Sequence, residues 1–385
     1  MKDRPLKIGI TCYPSVGGSG VVATALGEQL AHRGHEVHFI SYERPFRLSA
    51  DADRIIFHHV EINDYGLFKY PDYTLPLSVK MAEVTRDHGL DLLHVHYAVP
   101  HATAAILARS MLPEHLQPRV VTTLHGTDTT LLGRDPGYGP AIRHALVCSD
   151  AVTTVSKFLA EETRTLLNFD RPIDVIHNFF ALPAPRRKRD ELRAELGIAP
   201  HQAMLLHCSN LRPVKRIDLL LKTAAAIAPR DSFKLVILAG DDFSPFIPDV
   251  RHLALENTVV IRSKVSDMEE YLQAADIAVY TSESESFCLG ILEAMWFTCP
   301  SVATRVGGIP EVIADNTVGV LTPFGDIDAM ARAIEGLIRD PARRATIGRA
   351  GQLAARGRFS ADCIVPQYEA VYRRVIELRS HSDKT

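Results

Sequence analysis

Two glutamates separated by seven residues mark the strongest candidate for a functional site. Glu285 and Glu293 flank a stretch that becomes helical at residue 289, so Glu285 should lie in the preceding loop and Glu293 one or two turns inside the helix. Free amides at a helix N-terminus attract phosphate, while carboxylates can accept hydrogen bonds from neutral hydroxyls. Downstream, Gly307-Gly308 can let another loop pack closely. The pattern predicts a ligand with both phosphates and hydroxyls.

A cationic loop is the second candidate. Ser209, Arg212 and Lys215 follow the apolar strand predicted for residues 204–208. Arg offers a planar fork of donors and Lys a point charge, so the two side chains can hold a diphosphate. An ordinary exposed loop with the same composition is the alternative.

A glycine-rich segment lies between the first strand and its helix. Glycines at residues 17, 18 and 20 can let an anionic ligand approach the backbone at the helix N-terminus. The spacing Gly18-x-Gly20-x-x-Ala23, with Glu43 about 20 residues on, also fits a dinucleotide fingerprint. Residues 13–16, however, separate the strand from the first glycine, where that fingerprint needs a tight turn. A plain structural loop is the third interpretation.

Four histidines could in principle form a metal-binding site. His94 and His96 alternate on a predicted strand and therefore face one side, with His101 and His125 in neighbouring loops. No carboxylate or cysteine completes a ligand set at a fixed spacing. We therefore expect these side chains to form hydrogen bonds or to pack, and we predict neither a metal nor another cofactor.

Alternation of short apolar runs with amphipathic helices organises the whole chain, which predicts an α/β fold with parallel sheets. Strands are predicted in the first half at residues 7–12, 37–41, 55–60, 92–96, 120–124, 151–155 and 175–176. The rhythm restarts after a Pro-containing linker near residues 180–190, with strands at 204–208, 235–239, 259–261, 277–280, 301–303 and 318–321. The predicted domains are residues 1–182 and 183–360. Residues 361–385 are expected to form a C-terminal helix that packs back on the first domain.

Composition excludes several classes of protein. The 385 residues are 46% hydrophobic and 23% charged, and 43 Lys+Arg against 46 Asp+Glu give a net charge of −3, which disfavours nucleic-acid binding. No uncharged run approaches the roughly 18 residues of a membrane span. The charged N-terminal residues do not resemble a signal peptide, and the six scattered cysteines are typical of reduced thiols. We expect a cytoplasmic protein.

The motifs together resemble one enzyme family, the retaining glycosyltransferases of family four. The resemblance covers nearly the whole chain and is most detailed in residues 12–22, 39–45, 94–102 and 124–128. It implies the GT-B architecture, with two Rossmann-like doubly wound domains facing across a cleft. The detailed segments are similar to a subfamily that transfers N-acetylglucosamine from UDP-GlcNAc to L-malate, the first step of bacillithiol synthesis.

The resemblance also implies roles for matching residues. The residues that it implies for binding the donor are Gly18, Ser209, Arg212, Lys215, Glu285, Phe287, Cys288, Leu289 and Glu293. Within that set, Arg212 and Lys215 would bind the diphosphate, Glu293 the ribose and Glu285 the sugar. Catalysis would involve His125, Arg212, Lys215 and Glu285. The acceptor's carboxylates would be held by Ser19, Lys69, Tyr97, Thr127 and Arg143.

Two departures from the family pattern and several alternatives accompany this resemblance. Cys288 replaces a usual glycine, and residues 297–300 differ from the usual A-C-G-x-P. The acceptor could instead be an inositol phosphate, a lipid-linked sugar or a growing polysaccharide, and a regulator that binds nucleotide sugars without turnover is the non-enzymatic alternative. The expected partners are small molecules, with no nucleic acid and no membrane. Homo-oligomerisation is left open.

Overall fold

The computed structural model describes residues 4–14, 18–46, 48, 53–62, 72–180, 183–228 and 231–382, with side chains up to residue 378. Lys69 lies outside the described residues. The chain divides into two compact units, the first formed by Met1–Asn178 with Ala361–Thr385 and the second by Phe179–Ser360. The divisions predicted from the sequence fall at residues 182/183 and 360/361.

The first unit is a seven-stranded parallel sheet covered by helices. Its strands run in the order β3-β2-β1-β4-β5-β6-β7. They are β1 (Lys7–Thr11), β2 (Glu36–Ser41), β3 (Ile55–His59), β4 (Leu92–His96), β5 (Arg119–Leu124), β6 (Ala151–Thr154) and β7 (Ile173–Val175). The helices between them are α1 (Gly18–His32), α2 (Thr74–His88), α3 (Thr103–Ser110), α4 (Tyr138–Cys148) and α5 (Lys157–Leu167). Since helices cover the faces of a parallel sheet, its central strand β4 is buried on both sides.

The second unit repeats this design with six parallel strands in the order β10-β9-β8-β11-β12-β13. They are β8 (Ala203–Ser209), β9 (Phe233–Ala239), β10 (Val259–Ser263), β11 (Ile277–Tyr280), β12 (Ser301–Thr304) and β13 (Val320–Thr322). Its helices are α6 (Arg189–Glu195), α7 (Ile217–Ile227), α8 (Ile247–His252), α9 (Met268–Ala274), α10 (Leu289–Trp296), α11 (Ile309–Val312), α12 (Ile327–Arg339) and α13 (Pro341–Phe359). The predicted α/β fold with two parallel sheets is confirmed.

The last helix, α14 (Ala361–Ser382), belongs to the first unit. The buried Tyr372 hydroxyl hydrogen-bonds His94 Nδ1 at 2.7 Å. Glu369 forms an ion pair with Arg33 at 2.9 Å and contacts His35 at the same distance. The helix is therefore tied to β4 and to the segment between α1 and β2. Among the described residues, no helix is long and apolar enough to cross a membrane.

Candidate active site

The cationic loop of the second unit is fixed by the loop that follows β11. Thr281 Oγ1 donates to the carbonyls of Lys215 and Arg216, at 3.1 Å each. The backbone amide of Glu283 donates to Val214 O at 2.8 Å. These bonds join the two strand-to-helix loops that carry the two strongest sequence motifs, because β8 and β11 are neighbours in the sheet.

An ion pair unites those motifs. Lys215 Nζ lies 2.6 Å from Glu285 Oε1, although the residues are 70 positions apart. Ser282 Oγ donates to the same carboxylate oxygen at 2.8 Å. Burial by itself lowers the pKa of Lys215, but the charge and hydrogen bond of Glu285 outweigh it and leave the pKa above its ordinary value. Lys215 is therefore a permanent cation at neutral pH, held in place by Glu285.

The glycine pair holds the backbone of Glu285. The amide of Gly308 donates to Glu285 O at 2.8 Å. Gly307 has a φ of +53°, and a Cβ there would lie 2.0 Å from the same carbonyl oxygen. No side chain fits in that space, so the interpretation of Gly307-Gly308 as a close-packing pair is confirmed.

Cys288 lies at the N-cap of α10 in a left-handed conformation, with φ 70° and ψ 75°. Residues with a Cβ avoid this region, which fits the glycine that the family resemblance leads us to expect there. Its thiol is buried, and burial raises its pKa well above the ordinary value. Glu285 precedes the helix and the buried Glu293 lies in its second turn, as the sequence predicted.

The other predicted donor residues of the second unit lie around this loop, whereas Gly18 begins α1 in the first unit. Arg212 is exposed, and its charge opposes protonation of Lys215, so the two cations are close. Ser209 Oγ contacts His207 Nε2 at 2.9 Å and accepts from the amide of Leu211 at 3.3 Å, which shapes the start of the loop. Phe287 is buried and packs edge-to-face on a second phenylalanine, Phe359, with ring centroids 5.7 Å apart. Leu289, half-buried, begins α10.

In the first unit, two predicted acceptor residues meet. Tyr97 directly follows β4 with a φ of 83°, a strained conformation for an aromatic residue. Its hydroxyl donates to Ser19 Oγ at 2.8 Å. Ser19 lies in the first turn of α1, which begins at Gly18. Tyr13 packs against the Tyr97 ring with centroids 5.6 Å apart. The segment after β1 and the end of β4 thus form one polar corner.

The histidines form a layer beside this corner in which His94, His96 and His101 are fully buried and His125 is partly buried. His96 Nδ1 and His125 Nε2 are 2.8 Å apart, and burial lowers the pKa of His125 to about 3. Both rings are therefore neutral at physiological pH. Within the described part of the chain, the buried Nε2 atoms of His96 and His101 have no hydrogen-bond partner. A buried polar atom left unpaired costs about 1–3 kcal/mol, which makes these two atoms candidates for contact with a ligand.

His94 has a different role from its neighbour. Its Nε2 lies 2.7 Å from Thr123 Oγ1 and its Nδ1 2.7 Å from the Tyr372 hydroxyl. Its ring faces the same side as His96, with centroids 4.5 Å apart. Both ring nitrogens are therefore satisfied internally, and His94 is a packing residue that ties β4 to β5 and α14.

Asp128 is a residue that the sequence analysis assigned no role. It is fully buried, and its carboxylate accepts from the amides of Gly126 at 3.1 Å and Ala98 at 3.2 Å. Burial raises its pKa to about 6. Asp128 thus links the loops after β4 and β5 that carry Tyr97 and His125. An aspartate in a loop gives no sequence signal for such a role.

Two further predicted acceptor residues lie on other elements of the first unit. Thr127 begins a π-helical turn, Thr127–Leu131, after β5. Arg143 is exposed on α4, and its Nε donates at 3.3 Å to the carbonyl of Asn168, the C-cap of α5. Lys69 lies outside the described residues. The structure therefore unites Ser19 and Tyr97 and directs Arg143 towards the end of a helix.

Two family models match the chain, one in each half. Residues 16–182 match Glycosyltransferase Family 4, and residues 188–354 match Glycosyl transferases group 1. Among curated proteins, N-acetyl-alpha-D-glucosaminyl L-malate synthase of Bacillus anthracis is 43% identical over 96% of this chain and 97% of its own length. D-inositol 3-phosphate glycosyltransferase of Kineococcus radiotolerans is 28% identical over 94% of this chain and 92% of its own.

Solved structures agree on the fold. Sucrose-phosphate synthase from Thermosynechococcus elongatus aligns with a TM-score of 0.80 at 20% identity, over 97% of this chain and all of that one. HepE from Anabaena in complex with UDP-glucose aligns at 0.76 and 21%, over 96% of this chain and all of that one. The GT-B fold is confirmed, and fold and motifs define a glycosyltransferase. The chain belongs to the family 4 glycosyltransferases that include N-acetyl-alpha-D-glucosaminyl L-malate synthase.

Proposed function

We propose that this glycosyltransferase transfers N-acetylglucosamine from UDP-GlcNAc to L-malate with retention at the anomeric carbon, releasing UDP. The observation that carries the proposal is the 43% identity with the Bacillus anthracis synthase over nearly the full length of both chains. The contacts of the two candidate loops support the same reaction, as follows.

The second unit supplies a cationic site suited to a sugar diphosphate. Lys215 is a fixed cation, and Arg212 lies close to it. With the positive end of the dipole of α10, they would stabilise the negative charge that develops on the departing UDP. Preorganised cations can do this without a metal ion, so no cofactor is required. Glu293 would accept hydrogen bonds from the ribose hydroxyls of UDP.

Retention is proposed to proceed by attack on the same face from which UDP leaves. The bond from the anomeric carbon to the phosphate oxygen breaks, a bond to the malate hydroxyl oxygen forms, and that hydroxyl's proton passes to the departing phosphate. Glu285 is poorly suited to act as a nucleophile, because one of its carboxylate oxygens already accepts from Lys215 and Ser282. Its proposed role is to orient Lys215 and to contact the sugar.

The acceptor is assigned to the first unit. The unpartnered Nε2 of His96 can donate to a carboxylate if it carries the imidazole proton. The Nε2 of His101 can only accept, because His101 Nδ1 donates to the carbonyl of His96 and burial keeps the ring neutral. The hydrogen-bonded hydroxyls of Ser19 and Tyr97 add further polar groups in the same unit. Thr127, Lys69 and Arg143 remain candidates for binding the acceptor. His125 remains a candidate for contact with the donor sugar.

The test is a comparison of acceptors at saturating UDP-GlcNAc, with UDP release and the product mass as readouts. L-malate should give GlcNAc-malate. Succinate lacks the nucleophilic hydroxyl and should only inhibit, in competition with malate. Faster turnover with inositol 1-phosphate than with malate would overturn the acceptor while leaving the glycosyltransferase assignment intact. Glycerol serves as the control for a neutral hydroxyl compound.

A further inference from the structure

Three histidines of the first unit converge outside the candidate active site. His38 on β2, His58 on β3 and His88 at the end of α2 each offer a ring nitrogen, and these atoms all lie within 4.8 Å of one another. The strands are parallel neighbours, with Ile40 opposite His58. Three separate elements thus contribute one imidazole each. Their spacing in sequence follows no metal-binding pattern, so the sequence alone does not reveal them.

The rings already approach the geometry of a metal site. His38 Nδ1 lies 2.9 Å from His58 Nε2, and the ring of His88 lies 4.6 Å and 5.2 Å from the other two, centroid to centroid. Zn–N bonds of about 2.0–2.1 Å in a tetrahedral site separate ligand nitrogens by about 3.4 Å. Small side-chain rotations would therefore suffice to place all three nitrogens around one ion.

A carboxylate behind the cluster selects the correct nitrogen of His38. His38 Nε2 lies 2.9 Å from Glu36 Oε1, and this hydrogen bond lowers the pKa of Glu36. Because Nε2 carries the proton that it donates to Glu36, Nδ1 presents its lone pair to the other two histidines. Carboxylate–histidine pairs of this kind orient the ligands of protein metal sites and raise their basicity.

We propose that His38, His58 and His88 bind a divalent transition-metal ion of the zinc type, with Glu36 holding His38 in its ligating tautomer. Imidazole ligands suit zinc, copper and nickel rather than magnesium or calcium. Three neutral ligands leave the fourth position to water. Two cations lie near the cluster: Lys7, which pairs with Glu36 at 3.4 Å, and Lys80, which pairs with Glu83 at 2.8 Å.

The site stands apart from the transfer chemistry. The cluster lies on β3 and β2, the first two strands in the order of the sheet. Tyr97 and His125 follow β4 and β5, which lie on the other side of β1. The ion would therefore cross-link β2, β3 and α2 and stabilise the fold rather than act on substrates.

The test uses the untagged full chain, stripped with a chelator and titrated with Zn²⁺, and with Co²⁺ as a spectroscopic probe. We expect one tightly bound equivalent, the visible absorption of tetrahedral Co²⁺, and a higher Tm with Zn²⁺. His58→Ala should lose all three effects. His59→Ala, which removes the exposed neighbour on the same strand, should keep them.

A graded variant separates ligation from general destabilisation. Glu36→Gln should weaken Zn²⁺ binding by about 10–100-fold, the usual effect of losing a carboxylate behind a ligand, while transferase activity is retained. Absence of binding by the wild-type chain, or equal binding by His58→Ala and His59→Ala, would overturn the proposal. If His58→Ala fails to fold, His88→Gln, on the half-exposed helix end, takes its place.

Discussion

Substitution of Gly307 by alanine should disable the enzyme by moving Glu285. The added Cβ would lie 2.0 Å from Glu285 O, and contacts shorter than 3.0 Å essentially do not occur, so the two backbones must separate by at least 3.0 − 2.0 = 1.0 Å. That carbonyl belongs to the residue whose carboxylate holds Lys215 at 2.6 Å. A misplacement of about 1 Å in an active site can cost about 10²-fold in rate. We expect kcat/KM for UDP-GlcNAc to fall by about that factor.

Gly325→Ala is the matched control. Gly325 belongs to the same unit and also has a positive φ, of +80°, but nothing lies within 4 Å of its Cβ position. Both alanines incur about 1–2 kcal/mol for the left-handed backbone, which urea unfolding measures. Only Gly307→Ala should also lose activity, assayed as UDP release. If the two variants have kcat/KM values within threefold of each other, the steric argument is refuted.

Three further predictions concern charge and protonation. Lys215→Ala should reduce kcat/KM by about 10² or more, since removal of one group that stabilises a developing anion costs about 2.7–4 kcal/mol. Lys222→Ala, on an exposed lysine of α7, is its control, and a loss below threefold at Lys215 would reject the role. Transfer activity should survive excess EDTA; abolition with rescue by Mg²⁺ or Mn²⁺ would contradict metal independence. Burial lowers the pKa of His94 and His125 to about 3 and of His101 to about 4, from an ordinary 6.5. The unfolded chain therefore binds more protons below pH 6.5, and stability should be complete above that pH and fall as pH drops, by about 1.4 kcal/mol per histidine at pH 5.5. Equal urea midpoints at pH 7.5 and 5.5 would count against this.

The sequence predicted the elements of the fold far better than the contacts between loops. Alternating apolar runs and amphipathic stretches determine a parallel α/β sheet locally, and both sheets were recovered. The Lys215–Glu285 pair joins residues 70 positions apart, and its formation depends on β8 and β11 lying side by side. Nothing in the spacing within either loop carries that information.

Long-range packing also decided which histidines are available to a ligand. His94 and His96 look equivalent on an alternating strand, yet Tyr372 of α14 and Thr123 occupy both nitrogens of His94. His96 keeps a buried nitrogen without a partner among the described residues. The difference arises from a helix nearly 280 positions further along the chain. The alternation of residues within β4 contains no information about that contact.

Cys288 shows how the structure can accommodate a departure from the family pattern. The position has a φ of 70°, so any side chain there incurs a backbone cost that glycine avoids. Cysteine has only one heavy atom beyond Cβ, and the thiol is buried rather than directed into solvent. Burial raises its pKa well above the ordinary value, so it stays protonated at neutral pH. A neutral thiol adds no negative charge beside Lys215, which remains able to attract a diphosphate. The substitution therefore alters backbone strain at the start of α10 without changing the sign of the electrostatic field that the proposed donor would meet.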